Sequence, residues 1–550
     1  MKKLIALLMM AVMVFSLFAL AGCNKPEEDN SPITIWQEND TADYYLDYND
    51  HPITLYIEKK FGIDLSFQLP AEGGEQDAFN VMYSTEEFTD VIKLGGYANV
   101  TAQQMYDDGY LYDLAPYIEQ YMPNYKAYLD ANPKYRAAIT TEEGRIFGIV
   151  QASPVENEVR WGGLVYRHDI LETMTGGYVS FPSGNAEPTT IADWEYMLNL
   201  FHQYFQAAGM ADYACLILPY NGVIATGELT SGFGIGSSGH YVKDGKIHFG
   251  ATEQGYYNYL AKMAEWYAKG WIYKDFATRV NDPIYMPNTA LTYGGAAGVW
   301  FGGNWQLGGA MSLPEYGLIM NVKPVATPLD TEHGVTESHA LMTWTNFNTN
   351  TGMGVTTKCS ESKMIKYLTA MDFFFSKEGS EIVAYGPNAE VAEGNEALAK
   401  LGMGEGIWSY DENGQPKFNA CALDENGALK PGIGDLYGVR YPGIKHQELP
   451  KQFNSDDVKN ADKVWTACGR DWNYPAEITL NNEQQKIYQK YNTDVNDCIN
   501  EFTVKVITGQ IQLNETTWAE FQANLKAAGM EQLLNMYTEA YNNFMGKMAG

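Results

Sequence analysis

The 550-residue sequence predicts an α/β protein of two or three domains with a helical C-terminal segment. Three observations point there. Strand-like and helix-like patterns alternate through the first hundred residues. Roughly 520 residues follow an N-terminal leader, too many for one ordinary core. From Glu483 onward the apolar residues recur at helical spacing almost to the end.

Ile33-Thr34-Ile35-Trp36 reads as a short strand. His51 to Phe61 is apolar at helical spacing through Leu55, Ile57 and Phe61, and Ile63 to Phe67 alternates like a strand. Gln76 to Tyr83 reads as helix and Thr89 to Leu94 as strand. Strands alternating with helices predict a largely parallel sheet. Further along, Trp194, Met197, Leu198, Phe201 and Phe205 share one face of a helix over Thr190 to Gly209. Gly255 to Gly270 repeats that pattern with Tyr256, Tyr259, Leu260, Met263 and Trp266, and Glu361 to Lys377 is a third amphipathic helix. Trp518, Phe521, Leu525, Leu533, Leu534 and Tyr537 form the apolar stripe of the C-terminal helices. Gly176 to Pro188 is a Gly/Pro-rich loop, and Gly404 to Gly443 is rich in turns.

The N-terminus has Lys2 and Lys3, then an apolar run from Leu4 to Gly22 with Ser16 as its one polar residue. A positive start, an apolar stretch and small residues at the end describe a secretory signal. An uncleaved spanning helix is the competing reading, but a span has no need of Gly22-Cys23 at its outer end. Either way the remaining chain faces outward. Asn24 to Ser31 is polar, with Pro26, Glu27, Glu28 and Asp29, and suits a flexible tether.

Charged residues are 19% and apolar residues 45% of the chain, the balance of a folded globular protein. The net charge of −31 repels nucleic acid and anionic lipid and argues against DNA binding. There are 39 Tyr, 12 Trp and 23 Phe. Such rings offer flat apolar faces, and Tyr and Trp add a polar edge. Sugar rings match both features, stacking through C–H faces and hydrogen-bonding through hydroxyls. This richness favours a carbohydrate ligand.

Several motifs are set aside. Cys215, Cys359, Cys421, Cys468 and Cys498 are widely spaced and lack zinc or thioredoxin spacing, and an odd number leaves at least one thiol unpaired. The eight histidines form no HExxH arrangement, so neither a metal nor another cofactor is expected. Asp411-Glu412-Asn413-Gly414 and Asp424-Glu425-Asn426-Gly427 lack calcium-loop spacing and read as hairpin tips. Gly234-Ile235-Gly236-Ser237-Ser238-Gly239 matches a dinucleotide fingerprint by letter, but the hairpin Tyr241 to Ile247 follows it where the fingerprint needs a helix.

Two sets of residues carry a resemblance. Leu20-Ala21-Gly22-Cys23 resembles a bacterial lipobox, which implies cleavage before Cys23 and acylation of its thiol. Two or more acyl chains hold such a protein stably where one does not. The second set is an ordered series: Ile33 to Trp36, Phe61-Gly62-Ile63-Asp64-Leu65, Ala78 to Met82 leading to Thr89-Asp90-Val91-Ile92, and Gly109 to Ile118. It continues with Met122-Pro123-Asn124-Tyr125, Thr141 to Gly148, Tyr166 to Leu171, Trp266 to Ile272, Ser376-Lys377-Glu378-Gly379 and Thr493 to Asp497. In this order they resemble the type-II extracellular solute-binding lipoproteins of bacterial ABC importers, of the family 1 sugar-binding type. The long LplA-like branch common in Firmicutes is the nearest group. Phe88-Thr89-Asp90 departs from that family's Leu-Pro-Asp.

The resemblance implies a two-lobed periplasmic-binding-protein-like fold with a ligand cleft between lobes, crossing hinge segments and closure on binding. The expected division is a signal over 1–22, an acylated cysteine and tether over 23–31, and lobe 1 over 32–152 with a return at about 329–385. Lobe 2 takes 153–328, and a C-terminal segment, about 386–550, packs on the lobes. Residues near 150 and 322–328 are the expected crossings. The implied activity is capture without catalysis, and the implied partners are permease subunits and, through the lipid anchor, the outer face of the cell membrane. A monomer is expected.

Site residues follow from chemistry and position. Gly298 to Trp305 resembles the strand and Gly-turn that carries a stacking aromatic in sugar binders, which nominates Trp305, with Asn304 to bond a hydroxyl and Trp300 as core. Trp36 ends the first strand, where parallel-sheet ligands bind, and Asp40 follows it. Trp161 and Arg167 flank the entry to lobe 2, with Asp169 as an alternative ion-pair partner for Arg167. Arg470 and Trp472 combine polar and aromatic character in one loop. The rivals are a peptide-binding or sensor-coupled receptor of the same fold, and a surface glycoside hydrolase, which needs two opposed carboxylates.

Overall fold

The computed structural model describes residues 28–549 apart from 39–44, 46, 72, 95–99, 142, 153–159, 221–226, 340–346, 438–440, 470, 476–477. The chain forms two compact units. Unit 1 comprises residues up to Asn132, Thr140–Ala152 and Thr349–Lys445, and unit 2 comprises Pro133–Ile139, Ser153–Asn348 and His446–Gly550.

Unit 1 is built on a five-stranded sheet in the order Leu65–Gln68, Ile33–Trp36, Val91–Lys93, Phe347–Val355, Ile149–Ala152. The first three strands are parallel, with Ile33 opposite Leu65 and Ile35 opposite Val91. Ile33 and Ile35 are buried on one face, and Trp36 is buried on the other, with Thr34 partly accessible between them. The helix Pro52–Phe61 starts where His51 Nδ1 accepts from the Ile53 N–H at 3.1 Å and Pro52 supplies a preset φ. It ends at Gly62, whose φ of 62° is the left-handed cap that favours glycine. Buried Asp90 ties the layers together: it accepts from Thr34 N at 2.8 Å and from Lys363 Nζ at 2.6 Å, joining two strands to the helix Glu361–Asp372.

Unit 2 has a four-stranded sheet in the order Val322–Pro324, Gly162–Arg167, Ala297–Gly303, Ala214–Leu216. Two of its three pairings are antiparallel. The helix Ile191–Ala207 opens with a capping box between Thr190 and Asp193, and Asp193 also accepts from Ser183 N at 2.8 Å to shape the preceding Gly/Pro-rich loop. Trp194 stacks on Trp266 of the helix Gln254–Ala268, with centroids 6.3 Å apart and planes 9° off parallel. The C-terminal helices Asn482–Ile507, Glu515–Ala527 and Met530–Ala549 complete this core, where Phe502 stacks on Phe521 at 4.1 Å.

Several expectations need correction. The sheets are mixed: Phe347–Val355 runs antiparallel to Val91–Lys93 in unit 1, and unit 2 is mainly antiparallel. The helix read over Glu361 to Lys377 breaks at Phe373–Phe375, a tighter turn, and restarts at Lys377 under a Ser376 cap. Segment 322–328 does not cross. Val322–Pro324 is a strand of the unit-2 sheet, and Leu329 N bonds Thr189 O at 2.9 Å, keeping the chain in that unit until 348. The return to unit 1 is therefore 349–445 and not 329–385, because Trp408–Tyr410 and Pro416–Phe418 form a hairpin fixed by Trp408 Nε1 bonding Gly386 O at 2.7 Å. Only 446–550 joins unit 2 at the C-terminal end, and Pro133–Ile139 also belongs to it.

Asp411 to Gly414 is the tip of that hairpin, as expected. The rejected fingerprint is indeed followed by antiparallel strands, His240–Lys243 and Lys246–Phe249. All five described cysteines are free thiols. Among the described residues no helix is long and apolar enough to cross a membrane, and no metal-ligating cluster of three or more side chains occurs.

Candidate ligand-binding site

The site grows from one end of a strand pair in unit 2. Ala297–Gly303 lies antiparallel to Gly162–Arg167, with Gly303 opposite Gly162 and Gly302 opposite Gly163. These glycines leave room for aromatic rings. A Cβ on Gly162 would sit 2.6 Å from Tyr285, one on Gly163 2.6 Å from the Trp465 indole, and one on Gly303 inside the contact distance of the Trp305 ring. No side chain larger than hydrogen fits under these rings as they are placed.

Trp305 projects from the short turn Asn304–Gln306. Buried Gln306 sets that turn, its Oε1 accepting from Trp300 Nε1 and from Gly303 N, each at 3.1 Å. Asn304 N donates to Trp161 O at 2.7 Å, which brings the two strand ends together. Trp161 and Trp305 then stack with centroids 5.6 Å apart and planes 14° from parallel. Tyr285 meets Trp161 edge-on at 4.8 Å. Trp305 remains 48% exposed, while Tyr285 is buried. The Asn304 side chain, half-buried beside this ring, makes no hydrogen bond with the described residues.

Tyr285 connects the rings to a buried ion pair. Its hydroxyl donates to Glu228 Oε1 at 2.8 Å, and the same oxygen takes Arg160 Nη2 at 2.5 Å. Arg160 Nη1 also donates to Trp465 O at 2.6 Å. Burial works against the arginine charge, but Glu228 together with Cys468 and Tyr285 raises the guanidinium pKa above its ordinary value and keeps it protonated. Burial, then Glu228, pushes the Tyr285 phenol upward, so it stays a donor. The pair forms part of the wall of a cavity of about 230 Å³, whose lining includes Thr327, Ser338, Trp465 and Cys468. Leu164, Val325, Leu329 and Val464 line it too, so its wall is mainly apolar with a few polar groups, as small-molecule sites are.

The residues nominated from sequence thus divide. Trp305, Asn304 and Trp161 come together. Trp300 is fully buried, the core position expected of it. Arg167 lies apart from them in its contacts: it is 2% exposed, forks onto Asp169 at 2.8 and 2.6 Å and bonds Gly295 O at 3.0 Å, a structural pair within unit 2. Trp36 is buried in the unit-1 core, edge-on to Phe79 at 5.8 Å. Trp472 stacks on His339 at 3.9 Å and 7°, with Lys243 Nζ 4.3 Å from its ring centroid, so its ring is engaged by its own unit. Asp40, Arg470 and Cys23 lie outside the described residues. Arg160, Glu228, Tyr285 and Trp465 were not nominated. Glu228 and Arg160 meet across 68 positions, a pairing no local spacing announces.

No family model matches the chain, and no curated protein matches it. Solved structures do. A human-milk-oligosaccharide-binding, ABC-transporter-associated solute-binding protein from Bifidobacterium longum infantis aligns with a TM-score of 0.68 at 14% identity, covering 94% of this chain and 99% of that one. The Streptococcus pneumoniae ABC-transporter substrate-binding protein FusA, in complex with kestose, aligns at 0.67 and 18% identity over 94% and 100% of the two chains. The alginate-binding protein AlgQ2 without calcium ion gives 0.61 and 18% identity over 94% and 100%. The chain has the α/β fold of the ABC-transporter solute-binding proteins, matched over nearly its whole length.

Proposed function

We propose that this chain is the membrane-anchored, extracellular solute-binding component of a bacterial ABC importer and that it captures an oligosaccharide. The observation that carries the ligand class is the half-exposed Trp305, held parallel to Trp161 on a glycine floor. A sugar ring laid on Trp305 gains stacking of about 0.5–1.5 kcal/mol beyond its buried area. Because Trp161 and the Gln306-braced turn already fix the indole, little ordering cost falls on binding. Asn304 offers a donor and an acceptor to a hydroxyl beside the stacked ring. The named substrates of the structural neighbours, kestose and milk oligosaccharides among them, belong to the same chemical class.

The role is capture, not turnover, and the partners are the sugar and the permease of the importer. The anchor is the acylated Cys23, the localisation is the outer face of the cell membrane, and the motif order resembles that of the LplA-like lipoproteins. The direct test is calorimetry of the chain lacking residues 1–23 against fructo-, manno-, alginate- and milk-type oligosaccharides, with peptides and a chromogenic glycoside in parallel. Saturable binding of one saccharide class without its cleavage is expected. Binding of peptides alone would overturn the substrate class, and turnover of the glycoside would overturn the binding-protein role.

A further inference from the structure

The chain entering unit 1 is clamped before its first strand begins. The Asp29 N–H donates to Ser362 Oγ at 3.0 Å, and its carboxylate accepts from Ser360 Oγ at 2.9 Å. Lys366 Nζ donates to the Asp29 carbonyl at 3.1 Å and to Asn30 Oδ1 at 2.6 Å. Ser360 caps the twelve-residue helix Glu361–Asp372, so the Asp29 carboxylate sits at the positive end of that helix. Hydrogen bonds from Ser31, then Ser360, hold the Asp29 carboxyl down to about 2, so the clamp persists into acid.

Cys23 precedes Asp29 by six residues, which reach at most ~20 Å fully extended. Without the clamp the leash would run ten residues to Ile33, or ~35 Å. Three tyrosines line the same side of the clamp. Tyr117 donates to Glu361 Oε1 at 3.2 Å, stacks on Tyr121 at 6.4 Å and meets Tyr112 edge-on at 6.3 Å. All three are half-buried, and Lys358 beside Cys359 is exposed. The exposed carboxylates of Glu28 and Glu361 share this face and Lys366 pairs with Glu28, so its charges are mixed, and the tyrosine rings are what a headgroup layer accommodates.

We propose that the face of unit 1 around Ser360, Lys366 and Tyr117 rests against the lipid headgroups. The clamp at Asp29 leaves a short connection between Cys23 and this face. This rests on the reading of Cys23 as an acylated anchor.

The experiment uses the full acylated chain in phosphatidylcholine vesicles and compares it with the Cys23→Ser chain in solution. Amine-reactive footprinting with mass spectrometry reads each lysine. Labelling of Lys358 and Lys366 is expected to fall at least threefold on anchoring. Lys400, with a side chain 78% exposed on the separate helix Glu396–Lys400, keeps its rate. Twenty Gly/Ser residues inserted between Cys23 and Asp29 are expected to restore labelling at Lys358. A chain that floats with the vesicles while Lys358 labels at its solution rate overturns the face alone. A chain that does not float overturns the anchor, and the face with it. Protection that survives the insertion overturns the short connection as its cause.

Discussion

Trp161 and Trp305 lie in the same plane direction, 14° from parallel with centroids 5.6 Å apart, although 144 positions separate them in the sequence. The register of the strand pair makes this possible, since Gly162 stands opposite Gly303. Trp161 braces the indole that stays open to solvent. Trp305→Ala is therefore expected to weaken saccharide binding at least tenfold in calorimetry. The melting temperature of the unliganded chain changes little, because the ring is about half exposed. An unchanged affinity would remove Trp305 from the site.

Gly303 and Gly162 separate positioning from stability. A methyl on Gly303 displaces the outer ring of Trp305, which moves into solvent at small cost. Gly303→Ala is expected to lose binding nearly as fully as Trp305→Ala while unfolding like the parent in urea. A methyl on Gly162 instead strikes the buried Tyr285 at 2.6 Å. Gly162→Ala is expected to destabilise unit 2 by about 1–3 kcal/mol, the usual cost of overpacking. Equal stability losses in the two variants would contradict the glycine floor.

The Arg160–Glu228 pair is buried at 6% and 4% side-chain exposure. Removing one partner strands the other charge, at a cost of about 3–5 kcal/mol. Arg160→Met and Glu228→Gln are each expected to lose stability in denaturant melts. The double variant is expected to regain most of the loss, because no uncompensated charge remains. Strict additivity would show that the two side chains do not act as a pair.

What was legible in the sequence follows the range of each signal. Periodicity over ten to twenty residues places Pro52–Phe61 and Ile191–Ala207 within a residue or two of their bounds, and a short apolar run places the four-residue strand Ile33–Trp36. It could not see that Phe373–Phe375 tightens one helix into two, since the apolar spacing runs on across the break. Strand direction was misread because alternating elements suggest parallel strands, while Phe347–Val355 enters the unit-1 sheet from a distant part of the chain. At the site, Trp305 and Asn304 stood out beside a Gly-Gly turn, a local feature. Trp36 and Trp472 carried the same residue type, but packing against Phe79 and His339 decides their surroundings. Arg160, Glu228, Tyr285 and Trp465 become neighbours only through the tertiary fold.

His51 makes the fold of unit 1 sensitive to acid. Its Nδ1 accepts from Ile53 N at 3.1 Å to cap the helix, and its Nε2–H donates to Asp435 O at 3.4 Å, so the ring is held neutral. Burial lowers its pKa to about 4 from an ordinary 6.5; the Asp435 carbonyl opposes that shift, nearby Lys445 adds to it, and Asp50 opposes it. Between those two values the unfolded chain binds a proton that the folded chain refuses. Stability therefore rises with pH through this window and is lost as pH falls from about 6.5 toward 4, by up to about 3 kcal/mol for this group. His51→Asn keeps a capping oxygen for the Ile53 N–H and removes the titration. Urea melts at pH 7.5 and pH 5 are expected to show a smaller acid loss in His51→Asn than in the parent. An equal loss in both would assign the acid sensitivity to other groups.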